Sequence, residues 1–375
     1  MAQDLQARAR PEVMDLPVYS PGLDIDDVKK KYGLDAVIKL ASNENPLGPS
    51  PLALEAARIA APDISLYPDG ACMALRERLS EKLGVPGERF IFGNGTDEVI
   101  DFLFFAFFNR GDRAVMGDPT FSSYFLSGMT MGARLEYVPL AAHQHHVTDM
   151  VKAAREEPRA KAVFVGTPHN PTGTICTRDE LETMLEDLPE DVLLVWDEAY
   201  VEYVDAPDYP NSLEYIDDHP NLVVLRTFSK IYGLAGLRVG YGIAHPDVVD
   251  LLERVRPPFN VNRLAQVAAI AALDDDKHID ASRKVNNEGK NFLSFELARL
   301  GMEPVPTQAN FILFRFDGVA DGLSGKLLEK GIIVRDGAAL GYPGHIRLTI
   351  GTPDQNRAVV GAIEDILESE GKGEA

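Results

Sequence analysis

The sequence contains few cysteines, and their placement narrows the class of protein. The two cysteines, Cys72 and Cys176, lie far apart and show no metal-ligand spacing. This pattern excludes a cysteine metal site and a disulfide framework, and it fits a protein of the reducing cytoplasm.

Positive charge is also scarce. The chain has 37 Lys and Arg against 58 Asp and Glu, which gives a formal net charge of -21. Nucleic acid and anionic membranes are therefore disfavoured as partners, because both attract basic surfaces. Any phosphate site must be built locally from amides, hydroxyls and a few arginines.

Long apolar runs are absent as well. The most apolar stretch, 99–108, contains Asp101 and is too short to cross a bilayer, so it predicts a buried helix. Residues 1–10 are polar and lack the apolar centre of a signal peptide. The sequence therefore predicts neither a membrane protein nor an exported one.

Short apolar runs alternate with helical patterns along most of the 375 residues. Residues 1–15 are interpreted as a loose arm. Strands are predicted at 37–40, 90–92, 114–116, 134–138, 162–165, 192–196 and 222–225. Helices are predicted at 25–32, 51–60, 72–83, 121–131, 147–155, 178–185, 246–255, 264–273, 279–300 and 354–369. The alternation indicates an α/β fold around a mostly parallel sheet. Further strands at 310–314, 331–335 and 346–350 predict a smaller α/β layer, and the length favours two domains.

The segment that follows the run 222–225 has unusual chemistry. Thr227, Ser229 and Lys230 stand at the mouth of a predicted strand, and Arg238 follows eight residues later. The hydroxyls and the guanidinium suit a phosphate, and an amine beside apolar neighbours can attack a carbonyl. Together they suggest a pyridoxal phosphate site. The alternative is a surface lysine at the end of a strand.

A second candidate phosphate site is the segment 93–98, Gly-Asn-Gly-Thr-Asp-Glu. It joins a predicted strand to a predicted helix, and the free N–H groups of a helix N-terminus bind anions. Because the carboxylates of Asp97 and Glu98 would repel a phosphate, we expect both to point away and leave Thr96 and the backbone facing it. The alternative is an ordinary capped helix, and the segment matches neither a dinucleotide nor an ATP fingerprint.

Other candidates also follow predicted strands. In parallel sheets ligands gather at the carboxyl ends of the strands. Phe121, Asn170 and Asp197 fall there, together with Lys230. His143, His145 and His146 sit in a loop that contains no acidic or cysteine residue, so we do not expect a metal site.

These residues stand in a pattern that resembles the pyridoxal-phosphate-dependent fold-type I aminotransferases, and among them the histidinol-phosphate aminotransferases. The resemblance extends from about Tyr19 to Ile366. Its motifs are residues 42–46 (SNENP), 67–69 (YPD), 93–98 (GNGTDE), 170–173 (NPTG) and 197–200 (DEAY), with Ser229-Lys230 and Arg238. It implies a three-layer sandwich around the mostly parallel sheet, with a large cofactor-binding domain at 46–255 and a small domain formed by 1–45 and 256–375.

The resemblance also implies roles for individual residues. Lys230 would bind the cofactor aldehyde and shuttle a proton, and Asp197 would pair with the ring nitrogen, with a plain strand-end aspartate as the alternative. Tyr200 and Asn170 would bind the ring oxygen. Phe121 would stack on the ring without the hydroxyl of the tyrosine found in many relatives. The implied phosphate ligands are the backbone at Thr96 and Asp97 and the side chains of Thr227, Ser229 and Arg238, together with Tyr67 from the second subunit of a homodimer. Arg347 would hold the substrate carboxylate and Arg335 would help to hold the substrate phosphate, and Tyr19 and Asn43 match substrate-side positions.

The implied reaction exchanges an amino group between L-histidinol phosphate and 2-oxoglutarate. The same scaffold also serves aromatic amino acid aminotransferases and threonine-phosphate decarboxylases, and both remain alternatives. A third alternative is a ligand-sensing regulator. Such proteins carry a helix-turn-helix module, and no such module precedes the strand predicted at 37–40. For Arg335, the alternative to a phosphate ligand is a solvated charge at a strand end.

Overall fold

The computed structural model describes residues 6–18, 23–316 and 322–371. Up to residue 243 its elements are α1 (Pro11–Met14), α2 (Ile25–Tyr32), β1 (Ile38–Lys39), α3 (Pro51–Ala60), α4 (Met73–Leu83), β2 (Phe90–Gly93), α5 (Thr96–Phe107), β3 (Arg113–Asp118), α6 (Ser122–Met131), β4 (Arg134–Pro139), α7 (Val147–Arg155), β5 (Ala160–Gly166), α8 (Arg178–Asp187), β6 (Leu193–Asp197), β7 (Leu222–Thr227) and β8 (Gly240–Ile243). They are followed by α9 (Pro246–Val255), α10 (Arg263–Leu273), α11 (Asp276–Arg299), β9 (Glu303–Pro304), β10 (Phe311–Arg315), α12 (Leu323–Glu329), β11 (Ile332–Ile333), β12 (Arg335–Asp336), β13 (His345–Thr349) and α13 (Pro353–Gly371).

A sheet with the strand order β2-β8-β7-β6-β5-β3-β4 forms the centre of the molecule. The strands from β7 to β4 pair in parallel, whereas β8 runs antiparallel between β2 and β7. All five residues of β6 are buried, as a strand covered on both faces requires. The predicted α/β fold with a mostly parallel sheet is therefore confirmed.

Helix boundaries follow local capping chemistry. Asp24 accepts hydrogen bonds from the N–H groups of Asp26 and Asp27 at the start of α2. Thr177 and Glu180 form a reciprocal capping box at the start of α8. These bonds satisfy amides that a helix leaves free at its first turn, which is why the predicted starts of both helices are correct.

The remaining strands build a smaller layer. Strands β12, β13, β10 and β9 form an antiparallel sheet, and its core is shared with α11, α12 and α13. The short strand β1 pairs in parallel with β11, so the residues before the large sheet join the residues that come last in the chain. The grouping of 1–45 with 256–375 stays a prediction, and this pairing is the contact that it requires.

Helix α10 lies with the large layer rather than with the small one. Its buried side chains, such as Ala265 and Ala269, belong to the core cluster that covers one face of the large sheet. Ile279, in the first turns of α11, belongs to the same cluster. The packing therefore favours a domain boundary within α11 rather than between residues 255 and 256.

Other differences concern elements without a clear sequence period. The segment at 331–335 was predicted as one strand but divides into β11 and β12, which belong to different sheets. Strand β8 and helix α12 were not predicted. The arm at 1–15 contains α1, and Glu12 of this helix forms an ion pair with Arg110 at 2.9 Å.

Candidate active site

The predicted site residues meet in one cleft at the carboxyl ends of the parallel strands. The cleft has a volume of about 620 Å³ and lies between the large sheet and strands β12 and β13. Its lining includes Asn43, Thr96, Asp97, Phe121, Asn170, Asp197, Tyr200, Thr227, Ser229, Lys230, Arg238, Arg335 and Arg347. Tyr67 lies outside this cleft, and Tyr19 falls outside the described residues.

Lys230 is placed by the turn that follows β7. Its Nζ donates to the carbonyl oxygen of Ser42 at 3.5 Å and lies 5.4 Å from the centre of the Tyr200 ring. Within the described ranges, no carboxylate forms an ion pair with this amine. A primary amine that faces a cleft without an anionic partner is available to react with a carbonyl.

Asp197 ends β6 and is buried at the bottom of the cleft. The Tyr124 hydroxyl donates to its Oδ2 at 2.6 Å, and the Ala199 N–H donates to its Oδ1 at 3.1 Å. Burial raises the pKa of Asp197 to about 6, although the two hydrogen bonds act in the opposite direction. The part of the chain that the structure describes supplies no cation to this carboxylate. A protonated ring nitrogen would satisfy it.

The N-terminus of α5 forms the anion cradle that the sequence indicates. Gly95 precedes the helix with φ 83°, and a Cβ there would lie 2.3 Å from Nη2 of Arg238. A Cβ on Gly240 would lie 2.5 Å from the backbone N of Thr96. Only glycine lets Arg238 and β8 approach the amides of the first turn this closely.

Three side chains complete this cradle. Thr227 Oγ1 accepts from the Ser229 N–H at 3.1 Å, and Arg238 Nη1 donates to Ser229 Oγ at 3.4 Å. Hydroxyls, helix amides and a guanidinium therefore converge from β7, β8 and α5. This donor set suits a phosphate monoester.

The two acidic residues of the cradle differ from one another. Glu98 points away as expected, and it accepts from the Asn94 N–H and from Asn260 Nδ2, both at 2.6 Å. Asp97 instead faces the cleft wall, where Arg238 Nη2 donates to it at 2.9 Å. The expectation that both carboxylates point away is therefore wrong for Asp97. Its charge offsets that of the neighbouring guanidinium.

Two arginines face each other across β12 and β13 at the other side of the cleft. Arg335 pairs in register with Arg347. Arg347 Nη1 donates to Asn170 Oδ1 at 2.5 Å and Nη2 donates to the Ala41 carbonyl at 2.7 Å, while its buried Nε has no hydrogen-bond partner among the described residues. Burial, together with the Arg335 charge, lowers the pKa of Arg347 to about 10.

Neither guanidinium forms an ion pair with a carboxylate of the described residues. An anionic ligand would reduce the repulsion between these two neighbouring cations, which have no protein anion beside them. Besides the N-terminus of α5, this arginine pair is therefore a second place in the cleft where an anion would be stabilised.

Asn43 lines the cleft and also supports the Tyr200 side chain. Its Nδ2 donates to the Tyr200 hydroxyl at 3.0 Å, and its Oδ1 accepts from the Thr349 hydroxyl at 3.1 Å. Both polar atoms of its side chain are thus engaged within the protein. This arrangement fixes the Tyr200 hydroxyl, and because the amide has a second N–H, the substrate-side role of Asn43 stays a prediction.

Sequence reasoning missed Tyr124, which is buried and holds Asp197. The spacing from Phe121 could have pointed to it. Phe121 and Tyr124 are three residues apart at the start of α6 and therefore lie on one helix face. Their rings meet edge to face with centres 5.5 Å apart. The three histidines considered as metal ligands do not converge, since His145 is buried whereas His146 pairs with Asp149 at the surface.

The donors of the cleft fit pyridoxal phosphate. A free amine, a buried carboxylate that lacks a cation, an aromatic wall and an anion cradle correspond to the aldehyde, ring nitrogen, ring face and phosphate of this cofactor. They are supplied by Lys230, Asp197, Phe121 and the first turn of α5. Asn170 and Tyr200 offer an amide and a hydroxyl for the oxygen of the ring.

Comparison with known proteins agrees with this site. The chain is 49% identical over 361 residues to the histidinol-phosphate aminotransferase of Moorella thermoacetica, covering 96% of this chain and 93% of that protein. It is 45% identical over 363 residues to that of Halalkalibacterium halodurans, covering 97% and 98% of the two chains.

A solved structure matches the fold over nearly its full length. It is the histidinol-phosphate aminotransferase of Sinorhizobium meliloti in complex with pyridoxal 5'-phosphate, with a TM-score of 0.89, 27% sequence identity, and 97% of this chain and 98% of that chain covered. The family model of class I and II aminotransferases matches residues 35–363. The chain therefore belongs to the class I and II aminotransferase family.

Proposed function

We propose that this enzyme transfers the amino group between L-histidinol phosphate and 2-oxoglutarate, a step of histidine biosynthesis. The products would be imidazole-acetol phosphate and glutamate, formed in two half-reactions on one site. The names of the similar proteins support this substrate. The structural observation that carries it is the pair of neighbouring arginines, Arg335 and Arg347, which lack a carboxylate partner within the described ranges.

A substrate phosphate suits this arginine pair better than a single carboxylate does. A phosphate monoester carries nearly two negative charges at neutral pH, and planar guanidinium groups bind its oxygens in pairs. Asn170 and the Ala41 carbonyl fix the orientation of Arg347, so little side-chain freedom is lost on binding. The carboxylates of 2-oxoglutarate and glutamate would use the same guanidinium groups in the second half-reaction.

The side chains around the reacting carbon would orient the substrate and move its proton. Bound pyridoxal phosphate supplies an electron sink that stabilises negative charge on that carbon. The amine of Lys230 would move a proton from the amino-bearing carbon of the donor to the cofactor carbon that carries the aldehyde, and in the opposite direction in the second half-reaction. Asp197 would keep a proton on the ring nitrogen, and the cradle around Thr96 and Arg238 would hold the cofactor phosphate.

Substitution of Arg335 tests the substrate. Arg335→Ala should raise the KM for histidinol phosphate at least tenfold more than the KM for phenylalanine, because loss of one charge-assisted contact costs about 1.5–3 kcal/mol. Arg254→Ala is the matched control, since this exposed arginine lies on α9 and pairs only with Asp250 among the described residues. Equal changes for both amino donors would contradict phosphate recognition by Arg335.

A panel of amino donors separates the remaining alternatives. Preference for phenylalanine or tyrosine over histidinol phosphate would favour an aromatic aminotransferase. Release of carbon dioxide from O-phosphothreonine without consumption of 2-oxoglutarate would favour a decarboxylase. Transfer of an amino group to 2-oxoglutarate, in turn, would exclude a ligand sensor without turnover.

We further propose that the enzyme is a homodimer in which Tyr67 of each subunit reaches the cofactor phosphate of the other. Tyr67 is 79% exposed, stacks on Phe259 with ring centres 4.7 Å apart, and lies outside the cleft of its own chain. Exposed apolar side chains are common in the neighbouring sequence, namely Leu52, Leu54, Ile59, Ile64, Leu66 and Met73. Such a set is typical of an interface.

Mixed dimers test this arrangement. A Tyr67→Ala chain combined with a Lys230→Ala chain forms one site that has both side chains, so mixing two weakly active proteins should restore activity. Failure to restore activity in proven mixed dimers would contradict a shared site.

We place the enzyme in the cytoplasm, because both cysteines are free and buried. No helix of the described ranges is long and apolar enough to cross a membrane.

A further inference from the structure

A buried ion pair lies beside the cleft and has no part in the chemistry described above. Arg226 Nε and Nη2 lie 2.9 and 2.7 Å from Oε2 of Glu198. The Glu198 side chain is fully buried and that of Arg226 is 10% exposed. The two residues belong to the strand ends from which Asp197 and Lys230 are presented.

Stability alone does not account for this pair. Removing two charges from water costs several kcal/mol per ion, and well-packed apolar residues often replace such a pair without loss. The second carboxylate oxygen, Oε1 of Glu198, has no hydrogen-bond partner among the described residues, so the arrangement is not optimal for stability. A positional role would explain why the charges are tolerated here.

The position of the pair in the sheet indicates what it holds. Glu198 follows Asp197, and Arg226 precedes Thr227. Because successive side chains of a strand point to opposite faces, the pair lies on the face opposite to the site residues next to it. The Glu198 N–H donates to the Leu225 carbonyl at 2.8 Å, directly after the parallel ladder between β6 and β7 ends at Asp197 and Leu225. The ion pair thus holds the ends of β6 and β7 together at the point where their loops diverge.

Arg226 also reaches the strand that supports the phosphate cradle. It pairs in register with Tyr241 of β8, and its positive charge acts to lower the pKa of the Tyr241 hydroxyl. Gly240, which packs on the backbone N of Thr96, immediately precedes Tyr241. One guanidinium therefore connects the strands that carry the carboxylate, the amine and the cradle.

Other charged groups face this guanidinium. Burial raises the pKa of Glu202 to about 7. The nearby positive charge of Arg226 acts in the opposite direction. Arg283 in turn faces Glu202 and donates from Nε to its carbonyl at 2.6 Å. The Glu198 carboxylate is the one that contacts the guanidinium directly, so it is the partner to remove in a test.

We propose that the Glu198–Arg226 pair is a positioning device that fixes the distance between the two ends of the cofactor site. It holds the end of β6, with Asp197, against the end of β7, which leads to Lys230. Both groups then stay within reach of opposite ends of one pyridine ring. This inference rests on the proposed function only in requiring a bound pyridoxal phosphate, and it does not depend on which amino donor is used.

The test uses Glu198→Gln, Arg226→Met and the double variant in the full-length protein. Each single variant leaves one buried charge without its partner, so both should lower the midpoint of chemical unfolding. The double variant removes both charges and should recover most of that stability. Under our proposal it still binds pyridoxal phosphate at least tenfold more weakly, and its kcat stays at least tenfold low while the KM changes less than threefold.

A purely structural role predicts a different outcome. If the double variant regains cofactor affinity and kcat together with its stability, the proposal is overturned. The control pair is Arg113→Met with Glu136→Gln, a partly buried ion pair between the first residue of β3 and the middle of β4, and neither residue lines the cleft. Its double variant should match the wild type in cofactor affinity.

Arg226→Lys keeps the test decisive if the double variant does not fold. It retains the charge but cannot span Glu198 and Tyr241 together, so we expect at least threefold weaker cofactor binding. Unchanged affinity in this variant would also overturn the proposal. Failure of the proposed function would instead appear as absent histidinol-phosphate turnover by the unaltered protein.

Discussion

Replacement of Tyr124 by phenylalanine isolates one hydrogen bond to the buried carboxylate. The Tyr124 side chain is 2% exposed, and its ring packs on Phe164 with centres 5.2 Å apart and edge to face on Phe121. Phenylalanine preserves these ring contacts. The lost bond is the one that the hydroxyl donates to Oδ2 of Asp197 at 2.6 Å.

The expected magnitude follows from the charge of the acceptor. A hydrogen bond to a charged group contributes about 1.5–3 kcal/mol, and about 1.4 kcal/mol corresponds to a tenfold change in an equilibrium constant. The bond favours the ionised form of Asp197, whose pKa burial raises to about 6. Its loss should therefore raise this pKa further and strengthen proton binding by the carboxylate by about tenfold.

The assay measures binding of pyridoxal phosphate to cofactor-free protein at two pH values. Near pH 6.5 Asp197 is mostly protonated in the variant but mostly ionised in the wild type, and the protonated form holds the cationic ring nitrogen poorly, so we expect about threefold weaker binding. Near pH 8.5 the carboxylate ionises in both proteins and the difference should shrink. The acidic limb of the kcat profile should move to higher pH in the variant.

A matched substitution controls for general effects. Tyr215→Phe also removes a phenol–carboxylate bond of 2.6 Å, to Oε1 of Glu182, but it does so far from the cleft. This variant should bind the cofactor as the wild type does at both pH values. An equal loss of affinity at both pH values in Tyr124→Phe, or no loss, would refute the assignment.

Three further predictions concern the site and its support. Lys230→Ala should lower transamination by several orders of magnitude and abolish the absorbance band of the covalently held cofactor. A variant that stays coloured and active would show that a different amine binds the cofactor aldehyde. Asn43 has φ 59° and binds both Tyr200 and Thr349, so Asn43→Ala should lower the free energy of unfolding by about 2–3 kcal/mol, and Asn43→Gly by less because glycine removes the backbone strain. Burial raises the pKa of Glu202 from 4.5 to about 7, so the folded protein keeps a proton that the unfolded chain releases above pH 4.5, and stability falls as pH rises through 7. Glu202→Gln should therefore unfold at higher denaturant than the wild type at pH 8 but not at pH 5, and an equal shift at both would contradict the raised pKa.

Much of the fold could be predicted because its elements carry local signals. The bounds of α2, α3, α7 and α9 coincide with the predicted ones, since each helix has apolar periodicity and side chains cap the N-termini of α2, α3 and α9. The parallel strands were recognisable as continuous apolar runs. The positions of Asn170 and Asp197 in one cleft followed from the rule that parallel strands present their carboxyl ends along one edge.

Strand β8 could not be predicted because its conformation depends on distant partners. Gly240 and Gly242 lower the strand propensity, and the four residues are held by antiparallel pairing to β2 on one side and β7 on the other. The division of 331–335 has a similar cause. Strand β11 pairs with β1 whereas β12 pairs with β13, and no local pattern encodes that choice.

Within the site, the contacts between protein side chains were the least predictable part. The sequence marks Asp97 as acidic at a helix start, but only the fold places Arg238 next to it. Likewise, the engagement of Asn43 by Thr349 depends on residues that are separated by most of the chain. Motifs therefore identified the reactive groups, whereas their supporting partners required the tertiary structure.

The pairing of β1 with β11 affects how the enzyme emerges from the ribosome. Ile38 is synthesised early, but its partner Ile332 follows almost three hundred residues later. At about 5–20 residues per second, the early strand waits for roughly 15 to 60 s with an unpaired edge. The last strand of the large sheet, β8, is complete much sooner, at Ile243. We therefore expect nascent chains to pass through a stage in which the large layer is folded while the segment that contains β1 is still unpaired. In that stage the segment is prone to aggregate and depends on chaperones.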